Sequence, residues 1–160
     1  MFYPQYLKQN CSLTLKEGLE EYYLSNPKQI REIADKLGPF FISHDITHVI
    51  FGLGTSIHEE SLLDTWTLRG TDITWNEIYK YTFNPDLWKI TKSIIQDNGG
   101  WIKVFTAVIQ CIPLKLKIHL HRIPKMNKKW PFSNVTDAMM SRRISDLRAE
   151  YGIVIINSNR

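Results

Sequence analysis

Apolar residues recur at helical spacing over most of the chain. The first such stripe, Leu15, Leu19, Tyr22 and Tyr23, follows the i, i+4, i+7, i+8 pattern of an amphipathic helix. Ser12 lies just before it and has the side chain of a helix N-cap. We therefore predict a first helix that is capped by Ser12.

Caps, stripes and terminating glycines or prolines predict six more helices. Gly38 and Pro39 separate the second helix from the third. Ser56 followed by Glu59 is the capping-box pattern that opens the fourth. The predicted spans are about 27–37, 39–51, 56–69, 74 onward, 85–98 and 137–151.

One segment departs from the helical pattern. Residues 114–121 alternate apolar and polar side chains with period two, which is typical of a strand. Two interpretations stay open here: a short edge strand, or an irregular surface segment whose apolar side chains face the protein. The fold class we predict is all-α, a compact single-domain helical protein over residues 1–160 with one irregular or strand-like segment near 114–121.

The composition is that of a globular protein. Hydrophobic residues make up 43% of the 160 residues and charged residues 22%, which argues against a disordered chain and fits one domain. The most apolar stretch, 104–112, is far shorter than the ~20 residues that cross a bilayer. The N-terminus lacks a signal-peptide pattern. We therefore expect a cytoplasmic protein, with Cys11 and Cys111 reduced.

Positive charge is concentrated in the segment 115–130. This segment holds six basic residues and no acidic one, although the net charge of the chain is only +4. Such a patch on an otherwise neutral protein favours an anionic membrane surface or an anionic ligand over nucleic acid. A solvated loop is the alternative. The six residues are Lys115, Lys117, Arg122, Lys125, Lys128 and Lys129.

A cluster of metal-ligating residues lies in the third predicted helix. His44, Asp45 and His48 fall within an arc of about 100° on that helix, on the side that also carries Phe41 and Phe51. Burying these polar groups without partners would be costly, and a shared cation removes that cost. Histidines at i and i+4 offer two nitrogens to one ion from one helix face. Independently satisfied side chains are the alternative.

Glu60 can join this cluster because of the segment that precedes it. Gly52-Leu53-Gly54 can end the third helix, and the following capping box then begins the fourth, which folds back toward His48. We predict a divalent-metal site between the helices at about 40–51 and 56–69, with His44, Asp45, His48 and Glu60 as ligands. This ligand chemistry suits zinc, and also iron(II), manganese or magnesium.

The same residues form a pattern that resembles a known signature. His-Asp-x-x-His, eleven further residues and then Glu is similar to the signature of the coenzyme Q (ubiquinone) biosynthesis protein 4 family. Gly52 and Thr55 also stand where that family has them, and segments 68–72 and 146–153 are weaker similarities. The resemblance spans about residues 10–153.

The resemblance implies an all-helical protein that is peripheral on the inner face of a membrane and takes part in making ubiquinone. It implies that His44, Asp45, His48 and Glu60 are zinc ligands. The implied activity is a lyase-type decarboxylation and hydroxylation at C1 of a polyprenyl benzoate. The alternative is a non-enzymatic isoprenoid-lipid-binding or scaffold protein. The implied partners are a polyprenyl lipid or quinone precursor, other quinone-biosynthesis proteins and a second copy of the chain, with no nucleic acid.

Two other enzyme classes use similar residues. An HD-type phosphohydrolase shares the His44-Asp45 dyad but needs a histidine further upstream, and His44 is the first histidine of the chain. A zincin-like peptidase would read His-Asp-x-x-His as a variant of His-Glu-x-x-His. The shorter aspartate is a poor general base at that position, because its carboxylate is held back from the catalytic water.

Overall fold

A computed structural model describes residues 3–27, 29–97 and 99–156. Within these ranges the secondary structure is helical and contains no strand, so the all-α prediction is confirmed. The helices are α1 (Leu15–Ser25), α2 (Gln29–Leu37), α3 (Pro39–Phe51), α4 (Ile57–Gly70), α5 (Trp75–Thr82), α6 (Pro85–Asp97), α7 (Gly100–Gln110), α8 (Ile112–Lys117), α9 (Asp137–Met140) and α10 (Ile144–Tyr151). A π-helical turn, Ile118–Arg122, directly follows α8.

Capping boxes begin both α1 and α4. Ser56 caps α4 as predicted, because Glu59 at the N3 position hydrogen-bonds the N-cap backbone in return. The predicted cap of α1 was wrong. Thr14, not Ser12, is the N-cap: its hydroxyl accepts from the Glu17 amide, and Glu17 accepts from the Thr14 amide at 2.8 Å. Thr14 has a carboxylate at N3 and Ser12 would not, which decides the position.

Two other predicted elements differ from the structure. The segment 114–121 is helical rather than strand-like, because Pro113 lies in the first turn of α8 and the helical face that carries Ile118 is buried. The predicted helix 137–151 is interrupted at residues 141–143, between α9 and α10. There the backbone leaves the helix to pair with the chain before α1: the Leu15 amide donates to Arg142, and the Ile144 amide donates to Leu13, both at 2.9 Å.

Helix α3 occupies the centre of the core. It contacts α1, α2, α4 and α10, and Val49, Ile50 and Phe51 in its last turn are completely buried. Gly52 ends it in the left-handed conformation at φ 66°, as the glycine turn predicted. None of the described helices has both the length and the apolar composition needed to cross a membrane.

Arg148 of α10 hydrogen-bonds the C-terminal end of α3. Its fully buried guanidinium donates to the carbonyl oxygens of Val49 and Ile50, both at 2.8 Å, and to that of Tyr6 at 2.7 Å. Further bonds reach the carbonyls of Lys8 and Gln9. Burial lowers the pKa of Arg148 to about 10. One side chain therefore ties the N-terminal segment, α3 and α10 together.

Candidate metal centre

Three of the four predicted ligands converge between α3 and α4. His44 and His48 lie one turn apart on α3, and Glu60 lies in the first turn of α4. The Glu60 carboxylate oxygens lie 3.2 Å from His48 Nε2 and 3.9 Å from His44 Nε2. One ligand atom from each of the three residues falls within 4.8 Å of the others, so this group can hold a divalent metal ion.

The imidazole of His48 is the most deeply buried part of the site. Its side chain is completely buried and stacks on Tyr22, with 5.1 Å between ring centroids. Neither ring nitrogen has a hydrogen-bond partner among the described residues; Nε2 faces Glu60 outside hydrogen-bond geometry. A buried imidazole left in this way costs free energy, and a metal ion on Nε2 would remove part of that cost.

Asp45 is held on the other side of His44. Its carboxylate accepts a hydrogen bond from the Tyr23 hydroxyl at 3.0 Å and one from the Tyr22 hydroxyl at 3.5 Å. It also lies 3.7 Å from His44 Nδ1, the ring nitrogen that faces away from Glu60. The structure therefore places Asp45 beside the three-residue group rather than in it, and its role as a ligand stays a prediction.

The charges of the site act on one another. Burial lowers the pKa of His44, but the neighbouring carboxylates of Asp45 and Glu60 outweigh it, so the pKa is raised overall. Burial raises the pKa of Glu60, but the nearby imidazoles of His48 and His44 outweigh it, so this pKa lies below its usual value. Burial and the charge of Asp45 raise the pKa of Tyr23. The Tyr23 hydroxyl therefore keeps its proton and remains a donor to Asp45.

Asp64 is a neighbour of the site that the sequence analysis missed. It lies one turn after Glu60 on α4, and its side chain reaches solvent. Desolvation by the surrounding protein, followed by the charge of Glu60, raises its pKa, while Lys115 acts in the opposite direction. The i, i+4 spacing from Glu60 was the available signal, because residues four apart share a helix face.

The nearby His58 and Glu59 serve the local structure. His58 Nε2 lies 3.0 Å from the side-chain oxygen of Gln110 on α7. Glu59 accepts from the Gly54 amide at 3.0 Å as well as from the Ser56 hydroxyl. Neither residue belongs to the group that can hold a metal.

The six basic residues of 115–130 lie in different environments. Lys117, Lys125 and Lys129 are exposed, and Lys115 and Arg122 are half-buried. Lys128 pairs with Glu150, and its ammonium lies 4.3 Å from the ring centroid of Tyr151. Its charge is therefore partly neutralised within the protein.

Comparison with family models, with curated proteins and with solved structures finds no match to this chain. The resemblance to the coenzyme Q biosynthesis protein 4 family therefore stays a prediction from the signature residues.

Proposed function

We propose that the protein binds a divalent metal ion through His44, His48 and Glu60, and that zinc is the first candidate for this ion. The completely buried Nε2 of His48, 3.2 Å from the Glu60 carboxylate, carries this proposal. Two imidazole nitrogens and a carboxylate suit zinc, and they also suit iron(II) or manganese; magnesium prefers oxygen ligands.

The orientation of the two imidazoles agrees with metal binding. His44 and His48 both turn Nε2 toward Glu60, so the free electron pairs of both rings can point at one ion. His44 Nδ1 faces the Asp45 carboxylate, which favours the tautomer protonated at Nδ1. When His44 is neutral, the tautomer that leaves Nε2 free for the metal is thus the one that Asp45 favours.

For the activity, we propose a ubiquinone-biosynthesis-type reaction on a polyprenyl quinone precursor. A bound metal would supply Lewis-acid stabilisation of negative charge on the ring carboxylate as carbon dioxide leaves. His44, His48 and Glu60 would hold that metal and leave a coordination position open to substrate. The signature resemblance supports the substrate class, and the three-residue ligand group supports the open position.

The second candidate is a non-enzymatic isoprenoid-lipid-binding or scaffold protein, working with other quinone-biosynthesis proteins or as a homodimer. The predicted role of Asp45 as a fourth ligand supports it. The Asp45 carboxylate lies 3.7 Å from His44 Nδ1, so it would have to turn toward Glu60 to close the coordination sphere. Closed four-ligand sites are typical of structural zinc.

We also propose peripheral attachment to an anionic membrane surface. The exposure of Lys117, Lys125 and Lys129 supports it, because each cation near such a surface contributes on the order of 1 kcal/mol. Salt should weaken the attachment.

Metal stoichiometry of the purified protein and its variants tests the metal site. We expect about one metal per chain in the native protein and strong loss in His48→Ala and Glu60→Gln. His58→Ala is the matched control, a histidine on α4 that lies outside the group, and it should keep its metal. Full metal content in Glu60→Gln would show that the ligand set is wrong.

Asp45→Asn distinguishes the two candidate functions. If Asp45 supports His44 without binding the ion, the variant should keep most of its metal and bind it more weakly. If Asp45 is a fourth ligand, the variant should lose metal as Glu60→Gln does. Mass spectrometry of lipids that co-purify with the native protein tests the substrate class separately, since a polyprenyl compound is expected and its absence would count against this class.

A further inference from the structure

A row of large apolar side chains lies exposed along α7 and α8. Each of them leaves between 47% and 82% of its surface accessible to solvent. We call this row the apolar stripe. Its members are Trp101, Ile102, Phe105, Ile109, Ile112, Leu116 and Leu120.

The apolar stripe occupies one side of a nearly continuous helical segment. Cys111 joins α7 to α8 in the right-handed helical conformation, and the π-turn continues from α8. At 100° per residue, all seven members fall within an arc of about 100°. The opposite side carries Ala107, Cys111 and Ile118, which are buried where this segment contacts α4. These buried residues make the contact with the core, and the apolar stripe faces away from it.

The area of the apolar stripe exceeds that of ordinary surface patches. A large side chain offers about 150–250 Å² when fully exposed, so seven of them at this exposure present on the order of 800 Å². The largest apolar patch of a typical monomeric protein is about 300–600 Å². An exposed apolar surface of this size is typical of a protein or membrane contact.

The chain segment that carries the apolar stripe has basic residues and no acidic one. No acidic residue occurs from 98 to 136, a segment that contains Lys103 and the six basic residues of 115–130. Lys103 and Lys117 are exposed, and on the helical wheel they lie about 100° and about 60° beyond the same edge of the stripe. Trp88 of α6 adds a further half-exposed indole, with 6.4 Å between its ring centroid and that of Trp101. Indoles and lysines together are typical of segments that lie at a lipid–water interface.

We propose that the apolar stripe inserts into the headgroup region of an anionic phospholipid bilayer, with Lys103 and Lys117 against the lipid phosphates. This deepens the peripheral attachment proposed above, because it assigns the contact to α7 and α8 and to apolar insertion as well as charge. A second copy of the chain fits the surface poorly. A symmetric contact would bring two copies of this lysine-bearing segment, which has no acidic residue, face to face, and their like charges would repel.

Flotation with vesicles tests the proposal on the full chain. We compare vesicles of phosphatidylcholine alone with vesicles that contain equal parts of phosphatidylcholine and phosphatidylglycerol. The double variant Phe105→Ser, Ile109→Ser should bind the anionic vesicles about a hundredfold more weakly, because each of the two side chains withdrawn from the interface is worth about a factor of ten. Leu24→Ser on α1 is the matched control, since Leu24 is 84% exposed and lies outside the stripe. Binding of the control should equal that of the native protein.

Fluorescence quenching by brominated phospholipid reports insertion directly. Quenching should be strong in the native protein and much reduced in the double variant Trp88→Phe, Trp101→Phe, which removes both indoles at the stripe. Both variants replace exposed side chains, so circular dichroism and thermal unfolding should match the native protein.

Three other outcomes would overturn the proposal, and each points to a different explanation. If Lys117→Gln with Lys125→Gln abolishes vesicle binding and the double serine variant binds normally, attachment is purely electrostatic. The peripheral attachment then stands, and the insertion of the stripe is wrong. If the native protein does not bind vesicles and sediments as a dimer that Phe105→Ser dissociates, the stripe is an interface between copies. If the native protein binds neither vesicles nor itself, both proposals are wrong.

Discussion

Replacing Arg148 by methionine should destabilise the protein strongly. Methionine replaces the aliphatic part of the side chain, but it lacks the guanidinium and donates no hydrogen bond. The guanidinium donates to carbonyl oxygens of the N-terminal segment and of the last turn of α3. Those oxygens would stay buried after the replacement, and water would not reach the innermost of them.

The size of the expected loss in unfolding free energy depends on which carbonyl oxygens still accept a hydrogen bond after the replacement. The Val49 carbonyl keeps the Gly52 amide at 3.3 Å, whereas those of Tyr6 and Ile50 lose the only donor that the structure assigns to them. Each buried acceptor left unpaired costs roughly 1–3 kcal/mol, so the two cost about 2–6 kcal/mol. Removing a buried charge returns part of this. We expect a net loss of about 3 kcal/mol, a large share of the 5–15 kcal/mol typical of a domain.

Urea denaturation followed by circular dichroism measures this loss. Arg69→Met on the exposed side of α4 is the matched control and should change the free energy of unfolding by less than about 0.5 kcal/mol. Arg148→Lys should fall between the two, because an ammonium keeps the charge but cannot span the same carbonyls. If Arg148→Met is as stable as the control, these hydrogen bonds do not stabilise the fold in the way described.

Three further changes have expected outcomes. Gly52→Ala should lower the free energy of unfolding by about 1–2 kcal/mol in urea denaturation, since φ is 66° and a Cβ would meet buried side chains at 3.0 Å. Gly99→Ala is the control: Gly99 is also left-handed, at φ 88°, and its Cβ would meet only the flexible Lys103 side chain, so equal losses would contradict the steric part. Tyr23→Phe should cost about 1–2 kcal/mol in the same assay by removing a donor to the Asp45 carboxylate, and an unchanged midpoint would argue against that bond. Zinc affinity in competition titrations should fall as pH is lowered through the raised pKa of His44, because its proton must leave before metal binds; affinity that stays constant from about pH 8 to about pH 6 would exclude His44 as a ligand.

Local patterns predicted the helices well where caps and stripes agreed. The bounds of α3 follow from Pro39 and Gly52, and the start of α4 follows from Ser56, because these residues act on their own neighbours. The break between α9 and α10 could not be predicted in this way. It depends on backbone pairing of 141–143 with the chain before α1, which is distant in sequence. The period-two alternation of 114–121 wrongly indicated a strand. The segment is helical, because Pro113 lies in the first turn of α8 and one face of the helix is buried.

The candidate site likewise has a part that the sequence predicted and a part that it did not. The i, i+4 spacing of His44 and His48 and the glycine turn before Glu60 were sufficient to bring three ligands together. The surroundings of Asp45 were not predictable from that segment. Its partners, Tyr22 and Tyr23, come from α1, and only the packing of α1 on α3 places their hydroxyls at the carboxylate.

The three candidate ligands lie on two consecutive helices joined by a tight turn, and this has a consequence for the order of events during folding. A metal bound there would close a loop that runs only from His44 to Glu60, and short loops of this kind close in well under a microsecond. The helical hairpin could therefore capture metal before α10 and Arg148 have joined the core. Metal held by the unfolded chain stabilises the native state less than its affinity for the folded protein suggests. A chelator added during refolding should then alter the folding rate more than the final stability.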